Sequence, residues 1–170
     1  MITSTSTRKA NTYSPAFQRY LHDLFEPAQA WAGSDEGYAW IAENIPSLAD
    51  LIDQHYGSSL FASYCIELNG RTLYIGESIR TVRRLIVHAY NIAHHPELFG
   101  LAGVDLSRNK ITVKLLKTKL FNKMVRKATE LHYIKLRHPL LQLCDGTTDR
   151  CITRSERAAA VAPYCKGGTT

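Results

Sequence analysis

Five side chains of this 170-residue chain have the types and the order that phosphodiester chemistry needs. Tyr64 and Tyr74 stand ten residues apart, Arg84 and His88 are four apart, and Glu130 lies alone in a basic stretch downstream. An arginine clamps a phosphate through paired N–H groups, and a histidine one helical turn away accepts or donates a proton near neutral pH. A lone carboxylate suits a hard cation that keeps most of its water. A tyrosine serves as a base only where cationic neighbours bring its phenol down from about 10. Each residue also has an ordinary reading: a surface Arg–His pair, a helix ion pair from Glu130 to Arg126 or Lys127, and core aromatics with satisfied hydroxyls. Taken one at a time the ordinary readings are favoured; the ordered set is what argues for chemistry.

The elements that must position these residues are legible. Residues 60–68 and 71–76 read as strands joined by Asn69-Gly70, a strong hairpin signal. A two-residue turn with unbroken pairing sets Cys65 opposite Tyr74 and puts the two tyrosines on opposite faces. A three-residue loop with Gly70 left-handed pairs Tyr64 with Tyr74 instead, and chemistry shared by the two tyrosines requires that arrangement. After Gly76, Ser78 is the expected cap of a helix reaching about His94. Val82, Leu85, Ile86 and Ala89 face inward there, with Arg80, Arg84, His88 and Asn91 or Ile92 on an adjacent face. Residues 111–116 form a third expected strand, and 119–136 a second helix ended before Pro139. Upstream, helices are expected over 14–32, 37–44 and 48–56, packed by Trp31, Tyr38 and Trp40. Beyond Gln142 one helix is expected, with Thr153 and Glu156 spaced as a capping box.

Charge points to a polyanion. The chain carries 21 Lys and Arg against 15 Asp and Glu, a net +6. Ten of those cations fall between Arg108 and Arg137, where Glu130 is the only acid. Lysines and arginines at phosphates release counterions, so such a segment favours nucleic acid over a neutral partner. No run approaches the roughly 20 apolar residues that span a bilayer, and the polar first residues resemble no signal peptide, so a cytoplasmic location is expected. The four cysteines fit no usual zinc spacing and are read as free thiols. There is no Gly-rich phosphate loop, no nucleophile elbow and no HExxH.

Together these residues resemble the GIY-YIG nuclease superfamily. The second half of that name stands intact as Tyr74-Ile75-Gly76, and the first is reduced to Ala62-Ser63-Tyr64. Arg84 and His88 fall where the family carries its arginine and a frequent histidine, and Glu130 matches its metal-binding glutamate. Pro139-Leu140-Leu141-Gln142 stands for a closing Pro-x-x-Asn, with Gln142 in place of the customary Asn. The resemblance covers about half the chain. It implies an α/β sandwich, a central three-stranded antiparallel sheet flanked by helices, over 59–142. A disordered stretch (1–12), a helical extension (13–58) and a tail of undetermined structure (143–170) complete the chain. The implied activity is Mg²⁺- or Mn²⁺-dependent DNA cleavage of restriction, repair or mobile-element type. Tyr64 is then the general base, Tyr74 and His88 assist, Arg84 binds the phosphate and Glu130 holds the metal, with Gly76 and Gln142 auxiliary. Arg80, Lys114, Lys117, Lys119, Lys123, Arg126 and Lys127 are the expected DNA contacts, and double-strand cleavage calls for a homodimer or two binding events. The alternative is a catalytically silent nucleic-acid-binding module that kept the fold; a protein-interaction domain with an incidental basic face is a third.

Overall fold

The computed structural model describes residues 26–144 and 149–167. The expectation of disorder over 1–12 and most of the expected first helix lie outside them. Helical turns over 26–32 lead into α1 (Asp35–Asn44), capped by Ser34, and α2 (Pro46–His55), with proline at its start. The hairpin β1 (Ala62–Leu68) and β2 (Arg71–Ser78) follows, then α3 (Thr81–His94) and a 3-10 turn (Pro96–Phe99). Next come β3 (Ile111–Thr118) and α4 (Lys123–Arg137). The last part is a short hairpin, β4 (Gln142–Cys144) and β5 (Asp149–Cys151), then α5 (Arg154–Val161) and a 3-10 turn (Ala162–Tyr164).

β1 lies between its two antiparallel neighbours in the order β2-β1-β3. Every residue of β1 is buried, as a central strand covered on both faces requires. One face carries the main core, in which Tyr64, Ile66, Leu68 and Leu73 meet Leu85 and Ile86 of α3 and Ile41, Leu48 and Ile52 of α1 and α2. Burying an aliphatic chain of this size contributes about 1.5–3 kcal/mol. The other face is smaller: Cys65 and Ile75 meet Ile134 of α4. The fold is thus an α/β sandwich built on a three-stranded antiparallel sheet. Among the described residues no helix is long and apolar enough to cross a membrane.

The hairpin departs from the expected register in an informative way. Leu68 pairs with Arg71, and Asn69 and Gly70 both take left-handed backbone (φ 52° and 85°), so the turn has two residues, not three. The pairing then slips: Glu67 faces Thr72, but Ile66 faces Tyr74, leaving Leu73 as an extra residue in β2. That bulge restores the side-chain parity that the tight turn would have broken. Tyr64 faces Gly76 rather than Tyr74, and the two tyrosines still share a face.

Helix boundaries also moved. Ser78 does not cap α3, because β2 runs through Ser78 and its hydroxyl accepts from Arg80 N instead. Thr81 anchors the helix start by donating to Leu60 O at 2.7 Å. Asn122 caps α4 by accepting from Met124 N and Val125 N, so the helix starts at Lys123, four residues later than expected. The capping box of Thr153 and Glu156 is present on α5, and Val161 of that helix lies in the main core.

Candidate active site

The Tyr64 ring reaches from the central strand across β2. Its cross-strand partner is Gly76, and a Cβ at that position would lie 2.5 Å from the phenol oxygen. Glycine is required there for room, since its own φ is ordinary. Beyond it, Tyr64 and His88 Nε2 are hydrogen-bonded at 3.0 Å. The ring centroids of Tyr64 and Tyr74 are 6.5 Å apart, and those of Tyr74 and His88 5.1 Å. Arg84, one turn before His88 on α3, lies near enough to both phenols to interact with them electrostatically. Four of the expected catalytic residues therefore form one contiguous cluster.

Its electrostatics follow from burial. His88 is driven down to about 3, first by loss of water and then by Arg84, so it is a neutral imidazole at physiological pH. Tyr64 is 1% exposed, and burial holds its phenol well above the usual value; Tyr74 adds to this and Arg84 opposes it. A tyrosine base needs cationic neighbours to lower its phenol, and Arg84 does not achieve this at Tyr64, because desolvation outweighs one nearby guanidinium. Burial also works against the charge of Arg84, but the two phenols offset it and leave that guanidinium above its ordinary value.

Glu130 approaches from α4. The inward stripe of that helix is Arg126, Glu130 and Ile134, an unusual one because two of the three are charged. Glu130 is 4% exposed, pairs with Lys127, and its charge acts on the Tyr64 phenol. Among the described residues no three His, Cys, Asp or Glu side chains group as a metal cage. Glu130 is the carboxylate here that could hold a hard cation keeping most of its water, and it is paired with Lys127.

Gln142 has a defined task. Its side-chain oxygen accepts from Ile75 N at 2.7 Å and its amide donates to Ile75 O at 2.8 Å. β2 is an edge strand, and the glutamine amide completes that edge between Tyr74 and Gly76. Leu140 N and Leu141 N, which donate to Thr72 O and Leu73 O, extend the same edge through the bulge.

The basic residues divide into two groups. Arg126 is buried, with Nε 2.8 Å from Glu77 and Nη1 donating to the carbonyls of Leu120 and Phe121. It is a strut inside the fold and not a surface phosphate contact. Lys114 pairs with the buried Glu67 at 2.7 Å, and Lys127 with Glu130. Arg80, Lys117, Lys119 and Lys123 are exposed and form no ion pair among the described residues. Thr118 and Ser78 both flank Ala62 across the sheet, so these four cations gather at one end of it.

A cavity of about 440 Å³ opens on the cluster, lined by Tyr74, Arg84 and His88 together with Asn91, Arg154 and Arg157. Asn91 was on the helix face read from the sequence, while the alternative there, Ile92, is in the core. Arg154 and Arg157 carried no spacing signal linking them to the site. No protein-family model, curated protein or solved structure matches the chain at a significant level.

Proposed function

We propose that the chain is a metal-dependent DNA endonuclease of the GIY-YIG type. The observation that carries this reading is the clustering of Tyr64, Tyr74, Arg84 and His88. Of these, Tyr74, Arg84 and His88 line one cavity, while Tyr64 lies buried behind them within the field of Glu130. The five residues come from β1, β2, α3 and α4, and in-line attack of water on a phosphodiester calls for groups of these types close together.

In this reading Arg84 binds a non-bridging oxygen of the scissile phosphate and stabilises the charge that develops there. Tyr64 acts as the base only after its own phenol proton has passed to solvent; the phenolate then takes the proton of the attacking water, with Tyr74 sharing its hydrogen bond. His88, being neutral, orients the Tyr64 oxygen through Nε2 without competing for the proton. Glu130 would hold the divalent cation, whose chemistry would be to offset negative charge at the leaving oxygen and to favour the ionised form of the Tyr64 phenol. Arg80, Lys117, Lys119 and Lys123 hold flanking phosphates and give affinity without sequence information. Assays on supercoiled plasmid and labelled duplexes with Mg²⁺ test the reading; an inert wild-type protein on duplex, single-stranded and branched DNA overturns it.

One observation favours a second reading, a catalytically silent nucleic-acid-binding module. The Tyr64 phenol is buried and held protonated in the protein alone. Salt-dependent DNA binding without cleavage in Mg²⁺ or Mn²⁺ selects that alternative.

A further inference from the structure

We propose that Arg154 and Asn91 form a second phosphate subsite beside the scissile position, so that the C-terminal segment completes the substrate path. The proposal rests on the endonuclease reading above and adds to it the residues that hold the neighbouring nucleotide.

The cavity at the tyrosine cluster adjoins a second one of about 500 Å³, lined by Pro27, Tyr90, His95 and Glu97. The two share Asn91, Leu98 and Arg154, so they form one trough leading away from Arg84. The wall that carries Arg154 is firmly seated. Thr153 and Glu156 cap α5, Arg157 donates to Leu98 O at 2.6 Å and to Ile152 O at 3.3 Å, and Val161 is in the main core. Arg157 thus works as an anchor. Arg154, one turn earlier on the same helix face, is exposed over the trough and makes no ion pair among the described residues. The acid of the second cavity, Glu97, lies 3.8 Å from His95 Nδ1.

A guanidinium on a fixed helix presents paired N–H donors that match a phosphate, and the Asn91 amide adds another donor. The walls between, Val87, Leu98 and Phe99, are apolar and suit a sugar face rather than a second anion. A strand whose scissile phosphate sits on Arg84 and that follows this wall brings a neighbouring phosphate to Arg154. The site demands an oligonucleotide, and an isolated phosphodiester leaves half of it unused.

The experiment compares wild type, Arg154→Ala, Arg154→Lys, Asn91→Ala and a distant charge control, Lys135→Ala. Each is tested on a fluorescein-labelled duplex of about 20 base pairs, for cleavage and for anisotropy between about 50 and 200 mM salt. Arg154→Ala is expected to raise KM about tenfold with kcat changed less than about twofold. Its binding should lose about one phosphate from the salt slope. Arg154→Lys should recover part of the loss, Asn91→Ala should raise KM more modestly, and Lys135→Ala should leave the slope unchanged. Arg154 is exposed, so circular dichroism melts of the variants should match wild type. Unaltered KM and slope in Arg154→Ala, with an active wild type, overturn the subsite and leave the endonuclease reading standing. A wild type that neither binds nor cleaves the duplex overturns both.

Discussion

The phenol of Tyr64 lies across the α-carbon of Gly76, so closely that one methyl group there would come within 2.5 Å of the phenol oxygen. The glycine of the Tyr-Ile-Gly tripeptide is therefore a seat for the other tyrosine, and not a hinge between strand and helix. Gly76→Ala should force the Tyr64 ring off His88. The expected result is a loss of about 1–3 kcal/mol of stability and at least a hundredfold drop in kcat, read by urea melts and cleavage kinetics. Wild-type kcat in Gly76→Ala contradicts the placement of Tyr64 in the chemistry.

His88 gives the fold an acid limit. Its folded value of about 3 lies below the ordinary 6.5, so between those limits the unfolded chain takes up a proton that the folded chain does not. Stability is full above about 6.5 and falls as pH drops towards 3, by at most about 1.4 kcal/mol per unit from this one group. His88→Gln should flatten that part of the stability profile in urea denaturation at pH 4.5–7. An unchanged slope in the variant assigns the acid sensitivity to other groups.

Gln142 should matter to stability and rate together. Gln142→Ala leaves the N–H and C=O of Ile75 without their side-chain partner, which costs about 2–4 kcal/mol where no water replaces it. The strand between Tyr74 and Gly76 loosens, and kcat falls with it. Gln142→Glu, which can accept from Ile75 N but not donate to Ile75 O, should lie between. Full stability in Gln142→Ala refutes the edge-completing role.

The two groups of basic residues should separate cleanly. Arg126→Ala breaks a buried pair with Glu77 and should destabilise the protein by about 3–5 kcal/mol. A combined Lys119→Ala and Lys123→Ala variant should keep the wild-type melting temperature. It should weaken DNA binding and lower the salt slope by about two phosphates. A stable Arg126→Ala protein would show that the strut is not needed.

Local chemistry made part of this fold readable in the sequence, and distance hid the rest. Asn69-Gly70 announced its turn because two left-handed residues in a row favour those two amino acids. The Leu73 bulge did not announce itself, since it is set by how β2 meets β1 and the glutamine at its edge. Thr153 and Glu156 marked their helix correctly, as a capping box is contained within four residues. Arg126 looked like a surface cation because its partner, Glu77, lies 49 residues away. A buried Tyr64 was among the readings its sequence allowed, but the outcome, that burial outweighs Arg84 and raises the phenol, depends on packing that no local pattern shows. The candidate site was legible as an ordered set of residue types, but the trough wall at Arg154 was not, because nothing local ties that helix to Leu98.

The central claim is tested most directly by supercoiled-plasmid cleavage in Mg²⁺, comparing wild type with Glu130→Gln and Arg84→Ala at matched DNA occupancy. The account predicts metal-dependent nicking or linearisation by wild type, abolished on chelation. It predicts a loss of at least about a thousandfold in each variant, with DNA binding by Glu130→Gln retained. Intact plasmid in every lane, or cleavage by Glu130→Gln at the wild-type rate, contradicts it.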